Sequence, residues 1–534
     1  MNNTGKTKMT NYRWTICVML FFATTINYLD RQVLSLTWKD FIQPEFHWTN
    51  SDYGDITSLF SIFYAISMLL AGRFVDWMDT KKGFLWAIAV WSVGAVLHAF
   101  CGIATSGIVA GEWFVGFEGA REAIGTVQNI SRVASVSVIL FIFARLVLAI
   151  GEAGNFPAAI KATAEYFPKK DRALATSIFN AGATVGALAA PVTIPVIAKY
   201  WGWEMAFIII GALGFVWMGF WVFVYKKPEN NPGVNAAELE YIQSDKNNET
   251  PEEIAAEEAS KGKKISFAQA FKYRQTWAFA AGKFMTDGVW WFFLFWAPAY
   301  LSSVYGIKSS DTAGQLAIFV LYAITLLSII GGWLPSYFVE KKGMNPYAGR
   351  MKSMLIFAFF PLLALLAQPL GSARPFGEYS YWIPVIIIGI AGAAHQAWSA
   401  NIFSTIGDMF PKRAIATITG IGGMAGGVGA YFINKGSGML FDFTQKSWST
   451  INGQALLEKY PQLQNKETAE ALLREHNAGS IEEFLKTLSV SGDVVVDGIS
   501  SGYMIIFSIC AVAYLIGWVI MKLLVPKYKP ITDL

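Results

Sequence analysis

Residues 14–34 read WTICVMLFFATTINYLDRQVL. The run is long enough to cross the hydrocarbon of a bilayer, which takes roughly 20 residues of helix. A short basic stretch with Lys6, Lys8 and Arg13 precedes it. It is too long for the core of a signal peptide and lacks a small-residue cleavage site, so it reads as a retained first span. Its apolar character breaks at Asp30 and Arg31, about seventeen residues in, or roughly 25 Å along a helix. A charge at the bilayer centre costs roughly 2.5 to 3.5 kcal/mol on insertion scales, so an ion inside an apolar run is a functional suspect.

The rest of the chain repeats the pattern. Of 534 residues, 54% are hydrophobic and 15% charged, against about 25% charged in soluble domains. Apolar blocks start near Arg13, Tyr53, Phe84, Ser135, Arg172 and Trp203, then near Thr276, Thr312, Met351, Tyr379, Ala414 and Ser501. This predicts an all-α integral membrane protein of about twelve transmembrane helices in two six-helix bundles. The expected divisions are 1–226, a polar linker over 227–266 rich in Glu, Lys and Asn with one surface helix, and 267–534. Basic residues orient it. Lys81, Lys82, Lys169, Lys170, Arg172, Lys341, Lys342, Arg350, Lys352, Lys412 and Arg413 share one set of loops with both termini and the linker. That set is expected to be cytoplasmic, which requires an even number of spans. Two loops of the opposite set are long. Residues 104–134 suggest a surface or re-entrant helix, and 444–500 read as a soluble insert with amphipathic patterns at QALLEKY, TAEALLREHN and SIEEFLKTL.

An internal repeat supports two bundles. Phe167-Pro168-Lys169, Arg172-Ala173 and Ala175-Thr176 return as Phe410-Pro411-Lys412-Arg413-Ala414 and Ala416-Thr417. Each copy opens a Gly-rich helix, and Gly72, Asp76, Lys81 and Lys82 have a looser echo in Gly332, Glu340, Lys341 and Lys342. Parallel six-helix repeats suit two halves that rock about a central site, and small residues allow their close approach.

Four places carry chemistry. In the first span, Arg31 is either half of a helix-end charge pair with Asp30 or the planar fork that clamps a carboxylate, with Asp30 a titrating neighbour and Tyr28 and Asn27 one turn before. In the fourth, Arg145 and Glu152 lie two turns apart on one face. Glu152 sits in GEAGNFPAAIK, where Gly151, Gly154 and Pro157 allow packing and a bend. A buried carboxylate there is a candidate proton carrier; a static pair of Arg145 with Asp30 or Glu152 is the plainer reading. In the seventh, Lys283 and Asp287 form an i,i+4 pair ahead of Trp290-Trp291-Phe292-Phe293, which serve either as packing or as a platform for a sugar ring. The tenth carries His395, Gln396, Trp398, Ser399 and Asn401, where Trp398 is placed to stack on a ring and Gln396 and Asn401 to bond hydroxyls. Tyr64 and Asn180 complete the expected substrate contacts.

Other classes fit poorly. A net charge of +4 with no basic domain argues against nucleic-acid binding. Cys17, Cys101 and Cys510 are too scattered for a disulfide framework or a metal site. A phosphate-binding loop, a nucleophile elbow and a His-Glu metal helix are all absent from the sequence, so neither an enzyme nor an ATP-driven pump is expected. A membrane sensor with the 444–500 insert as its receptor leaves the buried charges without a purpose.

In the strings INYLDRQV, GEAGNFPAAIKATAEYFP, RALATSIFNAGA, TWAFAAGKF and HQAWSANIF the chain resembles the anion:cation symporters of the major facilitator superfamily, and among them the hexuronate transporters. The resemblance implies the major-facilitator fold and proton-driven symport of a sugar acid such as galacturonate or glucuronate; another organic anion, such as an aldonate, an aldarate or an aromatic acid, is the alternative. It implies that Arg31 holds the substrate carboxylate, that Asp30 and Glu152 exchange protons with Arg145 tuning them, and that Gly72, Asp76 and Lys81 form a gate between the bundles. A monomer in the bilayer of a bacterial inner membrane, with no metal and no cofactor beyond the coupling proton, completes the expectation. The chain departs from the family pattern in five places. Trp77 and Asp79 stand where Arg and Gly are usual, Ala183 where Gln is common, Thr325 where Asp is, and Gly288 where Pro is.

Overall fold

The computed structural model describes residues 9–244, 266–475, 484 and 498–531, and every regular element among them is helical. Twelve long helices carry the architecture. In chain order they are α1 (Tyr12–Thr37), α2 (Asn50–Met78), α3 (Thr80–Ala110), α4 (Ile130–Glu152, continuing as Asn155–Tyr166), α5 (Lys169–Trp201) and α6 (Trp203–Val224). The second half comprises α7 (Arg274–Tyr305), α8 (Thr312–Ile324, continuing as Ile330–Lys342), α9 (Pro346–Phe359, continuing as Ala364–Ser372), α10 (Trp382–Met409), α11 (Lys412–Lys459) and α12 (Ile499–Leu524). Each start lies within 5 residues of the one expected from the apolar blocks.

Nine of the twelve are apolar enough along their length to cross a membrane. The other three, α1, α7 and α11, are 26, 32 and 48 residues long. They miss that mark for a chemical reason. Helix α1 carries Asn27, Asp30, Arg31 and Gln32, α7 carries Lys283 and Asp287, and α11 is rich in Gly. Such helices do not belong against lipid.

The packing separates two groups of six. Helix α1 lies on α5 and α6, α3 on α4 and α6, and α2 on α4; in the second half α7 lies on α11 and α12, and α10 on α8 and α9. The groups meet along α2 with α11, α5 with α8, and α1 with α7. The repeat is visible as geometry, since α5 and α11 each start directly after the proline of their copy. Glycine decides how closely α3 and α4 approach. A Cβ on Gly94 would lie 2.4 Å from the Leu148 amide nitrogen, and one on Gly151 2.2 Å from that of Trp91. That approach brings Glu152 inside the first bundle.

The linker is tied to the first bundle. In its short helix Ala236–Ile242, Glu238 accepts from Thr10 Oγ1 (2.6 Å), the backbone amides of Tyr12 (3.0 Å) and Arg13 (3.1 Å), and Arg13 Nη1 (3.0 Å). A linker carboxylate thus satisfies the first amides of α1. We refer below to this end of the molecule as the linker end and to the opposite one as the far end.

Both inserts differ from their expected bounds. Helix α3 runs to Ala110, leaving a loop with the helix Phe117–Gly125. Arg121 of that helix pairs with Glu45 (3.1 Å) and Glu204 (2.8 Å), pinning the insert to the short helix Gln43–Phe46 that follows α1 and to the start of α6. Burial raises the Glu45 carboxyl above its usual range, while the Trp203 indole and Arg121 draw it back down. Helix α11 continues past Thr444 to Lys459, so QALLEKY extends a long helix instead of starting a separate one. TAEALLREHN lies in the helix Lys466–Glu475 as far as Glu475; its last two residues and SIEEFLKTL, apart from Phe484, fall outside the described residues.

Candidate functional site

Arg31 lies on α1 and Glu152 at the end of the first segment of α4, and the two meet inside the first bundle. Arg31 Nε and Nη2 both donate to Glu152 Oε2, at 3.0 and 2.8 Å. The two residues are 5% and 0% exposed. The guanidinium stands in an aromatic box, its carbon 4.7 Å from the ring centre of Tyr64, 5.2 Å from Tyr28, 5.4 Å from Trp291 and 6.0 Å from Phe60. Trp291 comes from α7, so the box is closed across the two bundles. Such rings hold a cation without neutralising it.

Arg145 is also buried, over the Phe60 ring at 5.1 Å. Its Nε and Nη1 make no hydrogen bond among the described residues, and neither do both oxygens of Asp30 or Oε1 of Glu152. Asp30 lies in the field of Glu152, Arg145 and Trp91. With both acids ionised, the four charges cancel. The static pair of this region is therefore Arg31 with Glu152, not Arg145 with Asp30 or Glu152. The sequence left Arg31 as either a partner of Asp30 or a clamp for a carboxylate; in the structure its Nε and Nη2 are engaged by a carboxylate of the protein, Glu152.

The second bundle contributes a separate polar group. Lys283 pairs with Asp287 at 2.6 Å, one turn along α7, and its ammonium lies 4.3 Å from the Phe403 ring centre. His395 Nδ1 and the Tyr514 hydroxyl share a hydrogen bond of 2.7 Å, and the imidazole stacks on Trp290 at 5.4 Å and 2°. Gln396 is half-buried and Asn180 exposed on α5. Two expected contacts are spent on packing. Trp398 is 0% exposed with its ring edge-on to Tyr514, so it presents no face to a sugar here. Asn401 donates to the carbonyls of Gly331 and Ala397, both at 2.8 Å, and thereby fastens α10 to α8.

At the expected gate, a Cβ on Gly72 would meet no neighbouring helix within 4 Å, and the Asp76 side chain lies outside the described residues. Lys81 donates to the Val222 carbonyl of α6 at 2.6 Å, a contact within its own bundle. Lys81 is thus not a bridge between bundles in this form. Asp79 has φ of 68°, where glycine is preferred. It offsets that by accepting from the Thr80 amide at 2.9 Å and pairing with Lys227 at 3.5 Å.

The polar contacts joining the bundles gather at the far end. Asp442 of α11 accepts from Asn50 N (3.0 Å), Asn50 Nδ2 (2.9 Å) and Ser51 N (2.7 Å) at the start of α2. Asp40 accepts from Ser302 Oγ (2.8 Å) and from the Ser309 amide and hydroxyl (2.7 Å each). Lys435 pairs with Asp55. Beneath these, Trp38 stacks on Tyr53 at 3.9 Å and 5°, Trp296 closes edge-on, and the Tyr53 hydroxyl donates to the Phe295 carbonyl. These aromatic residues plug the path from Arg31 to the far end.

The sequence profile of the Major Facilitator Superfamily matches residues 20–433. The chain belongs to this superfamily. It is a multi-pass membrane transporter and not an enzyme. It is 28% identical over 422 residues to the hexuronate transporter of Escherichia coli K12, covering 78% of this chain and 85% of the relative. It is 28% identical over 343 residues to the galacturonate transporter of Dickeya chrysanthemi, covering 64% and 87%. Among solved structures, a bacterial homologue of the human lysosomal transporter Spinster superposes with a TM-score of 0.65 at 19% identity, over 96% of this chain and 97% of that one. That likeness establishes the two-bundle fold of the superfamily.

Sequence reasoning did not single out Phe60, Trp38, Tyr53, Asp40 or Asp442. In a chain with 15% aromatic residues, no pattern marks the few that box Arg31 or seal the far end. Asp40 and Asp442 follow the ends of apolar blocks in the sequence, where acids are ordinarily solvated, and only the fold shows them joining two bundles.

Proposed function

We propose that the chain is a proton-coupled symporter of a hexuronate-class sugar acid in a bacterial inner membrane, with the linker end cytoplasmic and both inserts external. The observation that carries this is the bidentate bond from Arg31 to Glu152 Oε2. A buried guanidinium deprived of its partner is strongly destabilised. It therefore needs one carboxylate at all times, and two can supply it. While Glu152 is ionised it fills the fork itself. When Glu152 takes a proton from the external side its hold weakens, and a substrate carboxylate replaces it at the same charge balance. Substrate and proton then load together, and the uncompensated alternatives are costly. Tyr28, Tyr64 and Trp291 flank the carboxylate-bearing ring. Asn180, Gln396 and the Lys283–Asp287 group face its hydroxyls. Asp30 and Arg145 balance the remaining charge. Protons are the coupling ion, and the scheme uses no other cofactor. The hexuronate-transporting relatives support the substrate class, and the far-end plug makes the described form one closed to the outside.

The test is uptake of labelled galacturonate by proteoliposomes with and without an imposed acid-outside gradient. Accumulation above equilibrium only with the gradient is expected. Uptake indifferent to the gradient contradicts proton coupling, and uptake of an aldonate in preference to galacturonate contradicts the substrate class.

A further inference from the structure

Two buried amides lie beside the Arg31–Glu152 pair and take no part in the scheme above. Asn27 precedes Arg31 by one turn of α1, and Asn155 follows Glu152 at the start of the second segment of α4. Helix α1 starts at the linker end and α4 finishes there, so both amides are displaced about one turn, roughly 5 Å, toward the linker end from the ion pair. Asn27 is 1% exposed and Asn155 0%. The oxygen and nitrogen of both side chains make no hydrogen bond among the described residues. Burying an amide without partners is expensive, and a protein interior normally meets such demand with ordered water. Beyond them α1 and α4 offer small or apolar side chains, including Ala23 and Leu20 on one and Ala158, Ala159 and Ala162 on the other. Substrate cannot pass there, because this is the interior of one bundle and not the interface between two.

We propose that Asn27 and Asn155 hold the water that takes the proton from Glu152 toward the linker end, by a route inside the first bundle separate from that of the substrate. The far end is sealed by Trp38, Tyr53 and Trp296, so a proton on Glu152 leaves in the other direction. The Glu152 O–H bond breaks, its proton passes to the held water, that water gives up one of its own protons to solvent water at the linker end, and the carboxylate left behind returns to the Arg31 fork. The amides orient water as donors and acceptors and exchange no proton themselves. Being neutral, they do not trap the proton that the water beside them carries, as an acid or a base at the same place would. They are positioning residues for proton release.

This inference rests on the proton-coupled reading, and the experiment separates the two. Asn27→Leu, Asn155→Leu and the double variant, reconstituted in proteoliposomes, are compared with wild type in gradient-driven galacturonate uptake and in galacturonate counterflow at equal pH. Counterflow cycles the loaded carrier and does not require proton release. The expected result is a loss of about a hundredfold in gradient-driven uptake, the low side of what a lost proton-transfer group costs, with counterflow within about twofold of wild type. Asn155→Ser, which puts a hydroxyl in place of the amide, is expected to retain part of the gradient-driven rate that Asn155→Leu loses. Equal losses in both assays assign the amides a structural role and overturn the inference, as do unchanged rates in both. A wild type indifferent to the gradient overturns the proton-coupled reading and the inference with it.

Discussion

Removing the Asp442 carboxylate should shift the protein toward a form open at the far end. Helix α2 begins with a capping box in which Thr49 and Asp52 satisfy one another, including the Asp52 amide. The amides of Asn50 and Ser51 are left for Asp442, at 3.0 and 2.7 Å, with Asn50 Nδ2 as a third donor at 2.9 Å. A helix opposite in sequence and bundle thus completes the cap. Loss of a capping side chain costs about 1 kcal/mol, with a range of 0.5–2. Loss of a negative charge at a helix start adds 0.3–1 kcal/mol. Together these give about 2 kcal/mol for Asp442→Ala, borne by the closed form because separating α11 from α2 at the far end breaks the contact. That is about a thirtyfold change in the open-to-closed ratio. Ser61 is buried on α2 where Gly427 of α11 packs against it, and the native Cys17, Cys101 and Cys510 are buried. A Ser61→Cys reporter therefore reads opening through its rate of reaction with an impermeant maleimide. The rate should rise by about the same thirtyfold factor while the open form is the minority, and Asp442→Asn should give a smaller rise. A rate unchanged by Asp442→Ala would refute the assignment of this contact as part of the far-end gate.

Three further outcomes follow from the same geometry. Glu152→Gln should abolish gradient-driven accumulation while preserving counterflow, because a permanently neutral side chain leaves Arg31 to the substrate; survival of accumulation in transport assays would make Glu152 structural. Arg31→Lys replaces a fork with a point charge and should weaken galacturonate binding by about tenfold to a hundredfold, measured by calorimetry, since about 1.5–3 kcal/mol attends a charged bidentate contact. Asp79→Gly relieves a backbone of φ 68° but removes the Thr80 and Lys227 contacts, and the relief of about 1 kcal/mol should prevail; a thermal midpoint lower than wild type would show that the two contacts outweigh the strain.

The membrane class, the helix count and the helix starts were legible because burial in lipid imposes long apolar blocks, and charge in the loops marks their ends. The repeat of Phe167-Pro168 at Phe410-Pro411 fixed the division into halves. Asp30, Arg31, Arg145 and Glu152 stood out because ions inside apolar runs are costly. Their pairing did not. Four charges on two helices admit several partners, and only the approach of α3 to α4 at Gly94 and Gly151, with α4 against α1, selects Arg31 with Glu152. The partners of the tenth span were hidden for a related reason. Trp398 and Asn401 occur within two turns of His395, yet helical phase turns them toward α12 and α8, where packing uses them. Helical spacing alone identifies a face but not which neighbour covers it.

The account turns on one competition, between Glu152 and the substrate carboxylate for Arg31. Substrate affinity measured against pH tests it most directly. If binding requires a protonated Glu152, galacturonate affinity is full at low pH, and above the Glu152 transition the Kd rises about tenfold per pH unit, the slope of one linked proton. The Glu152→Gln variant should bind tightly with no such slope over the same range. A wild-type Kd independent of pH, or a slope that persists in Glu152→Gln, would contradict the account.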